Sequence, residues 1–164
     1  MIFSLVVEVY FLSKDLRYTH NSTSLNKIDI EFTNSKTYTI TQEKIQNILV
    51  ADKIQQLKTK KIFINPIATI YDTNITKTII SKKAILDDKT SKIKLLHDVH
   101  IVYLDKTLNT QMLLYDIKSE KVIDSANFLL TSDDIQAKGV HLFFDTKKNI
   151  LKAKKIQYNF KQSE

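Results

Sequence analysis

Three apolar runs along the chain each end in an aspartate, and these aspartates are 29 residues apart. Asp87, Asp116 and Asp145 each open the pattern Asp-x-Lys-x-x-x-aliphatic. A run of β-forming residues that ends in a polar turn and restarts on an aliphatic residue is typical of a hairpin. Repetition of this unit predicts a long antiparallel ladder with one apolar face. Turn chemistry explains the aspartates, because an Asp side chain accepts hydrogen bonds from backbone N–H groups two residues further on.

Alternation of apolar and polar residues predicts further strands. Apolar residues share one parity at 28, 30 and 32, at 93, 95, 99 and 101, at 126, 128 and 130, and at 156, 158 and 160 of the last strand, 150–160. The stretch 42–61 fits one face of a helix as well as a buried strand. We predict a strand there, which a helical turn at 42–47 could precede. Turn signals recur throughout the chain, which favours an all-β sandwich, roll or barrel.

The beginning of the chain is more apolar than the rest, since residues 2–12 have the sequence IFSLVVEVYFL. Eleven residues are too few to cross a bilayer as a helix, which needs about 20. The segment also lacks the basic start and the cleavage site of a signal peptide. Three interpretations stay open: a buried strand or helix, the end of a membrane anchor, or an interfacial segment. Lys14 and Arg17 follow it, as at the polar boundary of a membrane helix.

Composition excludes several kinds of site. The chain has 164 residues, which fits one domain, with one glycine, one proline and no cysteine. Phosphate-cradling loops, dinucleotide fingerprints and nucleophile elbows all need glycines at fixed spacing. Without cysteine there are no disulfides, thiolate metal sites or cysteine nucleophiles. The four histidines form no zinc motif, and the lysine two residues after each repeat aspartate would repel a bound cation. We therefore predict no catalytic residue, no cofactor and no metal.

The net charge of +7 comes almost entirely from lysine, since Arg17 is the only arginine. Bidentate recognition of bases and phosphates favours arginine. We therefore predict no specific nucleic-acid partner, and favour a solvated lysine face or attraction to an anionic partner.

Several blocks of the sequence match a known family. They are the stretch LVADKI (49–54), Asn65-Pro66 followed by Tyr71-Asp72, the block 84–101, the hairpin 110–125, and Gly139 followed by Asp145 and Leu151. On these blocks the chain resembles the LptC family of lipopolysaccharide export proteins over about residues 28–160. One departure is clear: the family has a glycine just before the valine of the Val99 strand, where this chain has His97-Asp98. The bend at that point is therefore expected to differ.

The resemblance implies an antiparallel β-jellyroll, an open roll of consecutive hairpins, with a short helical N-terminal segment. Residues 1–14 would be a partial membrane anchor, 15–27 a linker, and 28–162 the periplasmic jellyroll, attached to the inner membrane by the N-terminus. The implied function is not enzymatic. The protein would accept lipopolysaccharide from the inner-membrane Lpt ABC transporter and pass it through a hydrophobic groove to an LptA-like bridge protein in the periplasm.

The resemblance also implies roles for individual residues, including lysines at the rim that would meet lipid phosphates. Inward residues of the jellyroll would contact acyl chains: Ile93, Leu95, Val99, Ile101, Leu114, Phe128, Leu130, Val140 and Leu142. The first strand would face the transporter and the last would pair edge-to-edge with the bridge protein: Ile28, Ile30, Phe32, Ile156, Gln157, Tyr158, Asn159 and Phe160.

A second hypothesis stays open from the residues alone. The domain could be a structural β-sandwich adaptor with a sealed core, contacting partners only through its edge strands and carrying no lipid. Acyl chains and a packed core favour the same apolar side chains, so the sequence does not separate the two.

Overall fold

The computed structural model describes residues 16–17, 28–41, 44–72, 75–145, 148 and 150–160. Every regular element in this part of the chain is a β-strand, which confirms the all-β prediction. The predicted anchor and most of the linker lie outside it. The strands are β1 (Leu16–Arg17), β2 (Ile28–Thr41), β3 (Lys44–Leu57), β4 (Lys60–Ile64), β5 (Ile67–Asp72), β6 (Ile75–Ile80), β7 (Lys83–Asp87), β8 (Lys92–Tyr103), β9 (Lys106–Asp116), β10 (Lys121–Ser125), β11 (Phe128–Thr131), β12 (Ile135–Asp145) and β13 (Ile150–Phe160).

The ambiguous stretch 42–61 forms strands. Residues 44–57 are β3, so the strand prediction is confirmed, and the helical turn does not form over residues 44–47. β-Branched isoleucine and valine in this stretch favour a strand, and pairing with β2 along the whole length of β3 decides the outcome.

All the described strands belong to one antiparallel sheet, which contains long strands and three rows of two short strands placed end to end. β4 and β5 both pair with β3, β7 and β6 both pair with β8, and β10 and β11 both pair with β9. β12 follows β10 and β11, and β13 follows β12. This arrangement is an open roll of consecutive hairpins.

The breaks between the short strands lie along one line across the sheet, which we call the crease. It passes through 65–66, 81–82 and 126–127 in the short-strand rows. In the long strands it coincides with register shifts or left-handed residues at Asn34, His97, Asp98, His141 and Lys155, whose φ values are 49°, 60°, 51°, 54° and 51°. His97-Asp98 thus make the bend of β8 in the left-handed conformation without a glycine.

The crease divides the sheet into two leaves. The first leaf contains β4, β7 and β10, and the second contains β5, β6 and β11, while the long strands run through both. One apolar cluster joins the leaves, since Leu49, Ile79 and Ile101 of the second leaf pack against a buried core centred on the first. We call the face that carries this cluster the inner face. The sheet is therefore folded on itself along the crease, with apolar side chains between the leaves.

Small polar side chains are buried at the crease and bond the backbone there. A broken ladder leaves carbonyl and N–H groups without strand partners, and buried groups of this kind need a hydrogen bond. The Ser81 hydroxyl donates to the carbonyl of Lys83 at 3.2 Å, and the Thr110 hydroxyl contacts the carbonyl of Asn127 at 3.0 Å. The Ser125 hydroxyl accepts from the N–H of Leu142 at 3.1 Å. These hydroxyls let the sheet bend while its backbone stays satisfied.

The only glycine in the sequence lies where the crease crosses β12. A Cβ on Gly139 would lie 3.0 Å from the carbonyl oxygen of Lys154 on β13 and 3.0 Å from the ring of Phe128 on β11. Phe128 is buried, so its ring has little room to move. A glycine is therefore needed at position 139 because three strands approach closely there, and not because the backbone adopts an unusual φ.

We expect Gly139→Ala to destabilise the protein by about 1–3 kcal/mol, because the added methyl overpacks this point. The sign is informative, since alanine in an unhindered strand is normally more stable than glycine. Urea unfolding measures the change. Lys138→Ala, at the exposed neighbouring position, is the control and should stay within about 0.5 kcal/mol of wild type. A Gly139→Ala variant as stable as wild type would contradict the packing described here.

Candidate functional site

The inner face of the second leaf carries an apolar row that runs across the sheet to its last strand. Cross-strand partners share a face, so the register defines the row directly. Seven members are apolar, and the eighth is the tyrosine of the edge strand. They are Leu49, Ala68, Ile79, Ile101, Leu108, Leu130, Ala137 and Tyr158. This row offers a continuous apolar surface about eight strands wide.

Exposure of the inner face rises with distance from the crease. Val99 and Leu113, beside the crease, are 1% and 2% exposed. In the second leaf Tyr103 and Ile135 are 36% and 38% exposed, and in the first leaf Leu151 is 42% exposed. The leaves therefore pack tightly along the crease, while the inner face at their far ends remains accessible to solvent or to a ligand.

The two ends of the sheet differ in how they present their strands. Among the described residues β13 pairs only with β12, so it is an edge strand, and Tyr158 and Phe160 on it are 54% and 73% exposed. At the other end β2 is joined over two residues by β1. There Phe32 is buried in the core, whereas Ile30 is 37% exposed.

A row of alternating charges crosses the rim of the first leaf, where its hairpins turn. Each aspartate of the 29-residue repeat ends a strand. Asp87 and Asp116 pair with a lysine on both neighbouring strands, whereas Asp145 pairs with a lysine on β10 only. The closest ion pair joins Lys121 Nζ to Asp145 Oδ2 at 3.1 Å, with the Asp145 side chain only 5% exposed. In strand order the row is Lys60, Asp87, Lys92, Asp116, Lys121 and Asp145. Alternation leaves little net charge on this rim.

The same aspartates fix the turns that follow them. Asp87 Oδ1 accepts from the N–H groups of Lys89 at 3.1 Å and Thr90 at 3.0 Å. Asp116 Oδ1 accepts from Ser119 at 3.0 Å, and Asp145 Oδ1 from Lys148 at 3.1 Å. The turn interpretation of the repeat is thereby confirmed. The donated N–H of Thr90 lowers the pKa of Asp87, and that of Ser119 lowers the pKa of Asp116; Lys60 and Lys92 add smaller electrostatic contributions.

Comparison with known proteins gives the family. The chain matches the family described as "Lipopolysaccharide-assembly, LptC-related" over residues 1–159. The chain belongs to the LptC-related family. No curated protein matches it. Among solved structures it is similar to LptH of Pseudomonas aeruginosa, described as the LptA-homologous periplasmic component of the lipopolysaccharide transport device, with 6% sequence identity and a TM-score of 0.52 over 94% of this chain and 95% of that one. At this identity the likeness shows a shared fold.

Membership in the LptC-related family confirms the resemblance drawn from the sequence. It gives the chain a role in lipopolysaccharide transport, and the antiparallel sheet fits that role. No helix in the described residues is long and apolar enough to span a membrane. Within the same residues, no group of three or more His, Asp or Glu side chains is placed to hold a metal ion.

Most of the residues predicted to contact acyl chains in this LptC-family chain lie on the inner face. Leu95, Val99, Phe128 and Leu142 are buried, Ile93 and Ile101 pack against the core, and Leu130 is half-buried opposite Ala137. Val140 lies where the register of β12 shifts at the crease. Whether any of them contacts lipid stays a prediction.

Leu114, which was expected to point inward, does not lie on the inner face. It pairs with Lys94 on β8, on the outer face, while its neighbour Leu113 pairs with Leu95 and is buried. The sequence reasoning also missed Leu49, Ile79 and Leu108, which pack on the core. No alternating pattern marked the last two, because Ile79 is followed directly by Ile80 and Leu108 stands alone among polar residues.

The predicted partner residues lie at the two ends of the sheet. Ile28, Ile30 and Phe32 are on β2, with Phe32 taken up by the core rather than exposed to a partner. On β13 the predicted segment 156–160 is exposed except for Ile156, which is half-buried. Their roles in partner binding stay predictions.

We expect the rim aspartates to make stability depend on pH. The folded pKa of Asp116 lies below its ordinary value of 3.8, so its contribution is complete above that value and is lost as pH falls through the folded pKa. Wild type should therefore resist urea better than Asp116→Asn at pH 6, and the difference should shrink below pH 3.8. A difference that stays constant from pH 6 to about pH 2 would contradict this role.

Proposed function

We propose that this LptC-family protein accepts lipopolysaccharide from the inner-membrane Lpt ABC transporter and passes it to an LptA-like bridge protein through the inner face of its folded sheet. The observation that carries the proposal is the apolar row that reaches the edge strand while the far ends of the inner face stay exposed. The N-terminal segment would hold the domain at the inner membrane, and the transporter's ATPase would supply the energy.

The inner face would lower the cost of moving acyl chains through water. Each methylene transferred from water to an apolar surface contributes about 0.8 kcal/mol. A lipid with several acyl chains therefore needs apolar surface along its whole path. The row from Leu49 to Tyr158 offers such a surface without a polar interruption before the edge strand.

The exposure pattern favours this function over the sealed adaptor. In a sealed sandwich the inner side chains would be buried to the ends of both leaves. Here Tyr103, Ile135 and Leu151 keep 36–42% of their surface exposed, although all three lie on the inner face. A lipid bound there would remove this apolar surface from water.

The edge strand β13 would deliver the lipid. An edge strand presents backbone N–H and C=O groups that can pair with a strand of another protein. A partner strand added beyond β13 would extend the sheet, and the apolar inner row would then continue from Tyr158 into the partner. The other end, at β2, would face the transporter in the same way.

We expect a photo-crosslinking residue in place of Leu130 to trap lipopolysaccharide in cells. Leu130 is half-buried on the inner face opposite Ala137, whereas Phe128 is too deeply packed to be replaced safely. Leu129 is the matched control, because it is the adjacent residue, also half-buried, on the outer face. Adducts at Leu130 and none at Leu129 support the proposal, while equal adducts at both positions, or none at Leu130, argue for the adaptor.

We expect Tyr158→Pro to abolish co-purification of the LptA-like partner, because proline removes a backbone donor and does not fit a new strand pair. The domain should stay folded, since Tyr158 lies on an edge strand and is 54% exposed. Tyr158→Ala keeps the backbone N–H and is the control that should retain the partner. Full co-purification with Tyr158→Pro, or equal loss with both variants, would remove backbone pairing as the mode of contact.

A further inference from the structure

Two lysines flank a tyrosine in one cross-strand row of the second leaf. The register pairs Lys77 of β6 with Tyr103 of β8, and Tyr103 with Lys106 of β9. Each of the three lies two residues from a member of the apolar row, namely Ile79, Ile101 and Leu108 respectively. Residues two apart on a strand share a face, so all three side chains are on the inner face. We call this row the lip.

The lip is the point at which the inner face changes from apolar to cationic. Its side chains follow the apolar row after two residues, which is about 7 Å along a strand. Tyr103 is 36% exposed and Lys106 is also exposed, so the lip can be reached from solvent. An amphiphile whose acyl chains lay on the apolar row would bring its headgroup to this distance.

Contacts within the lip hold one of the lysines in place. Lys77 Nζ lies 5.2 Å from the centroid of the Tyr103 ring, which is a cation–π distance. Lys106 Nζ forms an ion pair with Asp105 at 3.0 Å, and both side chains are about half exposed. Among the described residues Lys77 has no salt bridge of this kind. Its ammonium is thus oriented by the ring while its charge is left without a carboxylate partner.

The rim of the first leaf shows the contrast. There Lys92 lies between Asp87 and Asp116, and Lys121 lies between Asp116 and Asp145. Those lysines are matched by carboxylates in their own row. In the lip a tyrosine occupies the position between the lysines, and of the two only Lys106 has a carboxylate partner, Asp105 in the adjoining turn. The lip therefore attracts an anion more strongly than the rim does.

We propose that Lys77, Tyr103 and Lys106 bind a phosphate monoester of the lipid headgroup while the acyl chains lie on the row through Ile79, Ile101 and Leu108. The inference rests on the proposed function, since the acyl chains must occupy the inner face. Both ammonium groups donate to the phosphate oxygens, and the tyrosine ring keeps the first of them in position. This assigns the lip as the site that recognises the anionic part of the cargo and sets how deeply it enters.

The test compares binding of two lipids to the purified full chain: bisphosphorylated lipid A and the same lipid with its phosphates removed. The variant is Lys77→Gln/Lys106→Gln, and Lys77→Arg/Lys106→Arg tests rescue by a retained charge. Lys36→Gln is the matched control, because Lys36 Nζ lies 5.1 Å from the Tyr38 ring but on the outer face. Inorganic phosphate is added at about 10 mM, which distinguishes a site for free phosphate from a site for the lipid headgroup.

We expect the double glutamine variant to bind the bisphosphorylated lipid about tenfold more weakly, and the dephosphorylated lipid within about twofold of wild type. The arginine variant and Lys36→Gln should bind both lipids as wild type does, and inorganic phosphate should leave the lipid bound. The assignment of the lip is overturned if the glutamine variant binds as wild type does or binds both lipids more weakly by the same factor. It is also overturned if Lys36→Gln weakens binding equally, or if inorganic phosphate displaces the lipid. Wild-type protein that binds neither lipid overturns the proposed function as well, so the two failures are distinguishable.

Discussion

The structure depends on breaking an antiparallel ladder along a single line. A continuous sheet of this width would be open and would expose its apolar face to water on one side. At the crease the short strands stop, and the long strands bend through left-handed residues such as Asn34 and His97. Each left-handed residue other than glycine costs on the order of 1 kcal/mol, and each unpaired buried backbone group costs more. Buried hydroxyls at Ser81, Thr110 and Ser125 remove much of the second cost, and burial of apolar surface between the leaves offsets the first.

The same line organises the rest of the molecule. Packing is tight beside it and loosens toward the far ends of the leaves, which leaves apolar surface available for a guest. The charged side chains at the far ends of the two leaves differ in their partners. On the rim of the first leaf each aspartate caps its turn and neighbours lysines across the sheet, so the rim is a structural device. On the lip of the second leaf the lysines flank a tyrosine, and Lys77 has no salt bridge among the described residues, so its charge remains available to an anion. In the proposed mechanism the charges of the first leaf therefore serve stability, and those of the second leaf serve recognition.

The sequence predicted what depends on local chemistry. Asp87, Asp116 and Asp145 were correctly interpreted as turn residues, because their hydrogen bonds reach only two or three residues along the chain. It failed where the crease intervenes. A period of two that starts from Thr110 predicts an inward residue at 112 or 114, but the step across the crease is three residues and brings Leu113 inside. The lysines that neighbour Asp87 and Asp116 in space are Lys92 and Lys121, five residues further along the chain on the next strand. Only the strand register reveals this pairing.

Under the proposed function, acyl chains lie on the inner face and on no other surface. Nuclear Overhauser effects between acyl-chain protons and methyl groups of the labelled protein test it most directly. We expect contacts to the methyl groups of Ile79, Ile101 and Leu108, and none to those of Val50 and Ile67, which are exposed on the outer face. Contacts to the outer methyl groups, or an inner face that stays silent in the presence of bound lipid, would contradict it.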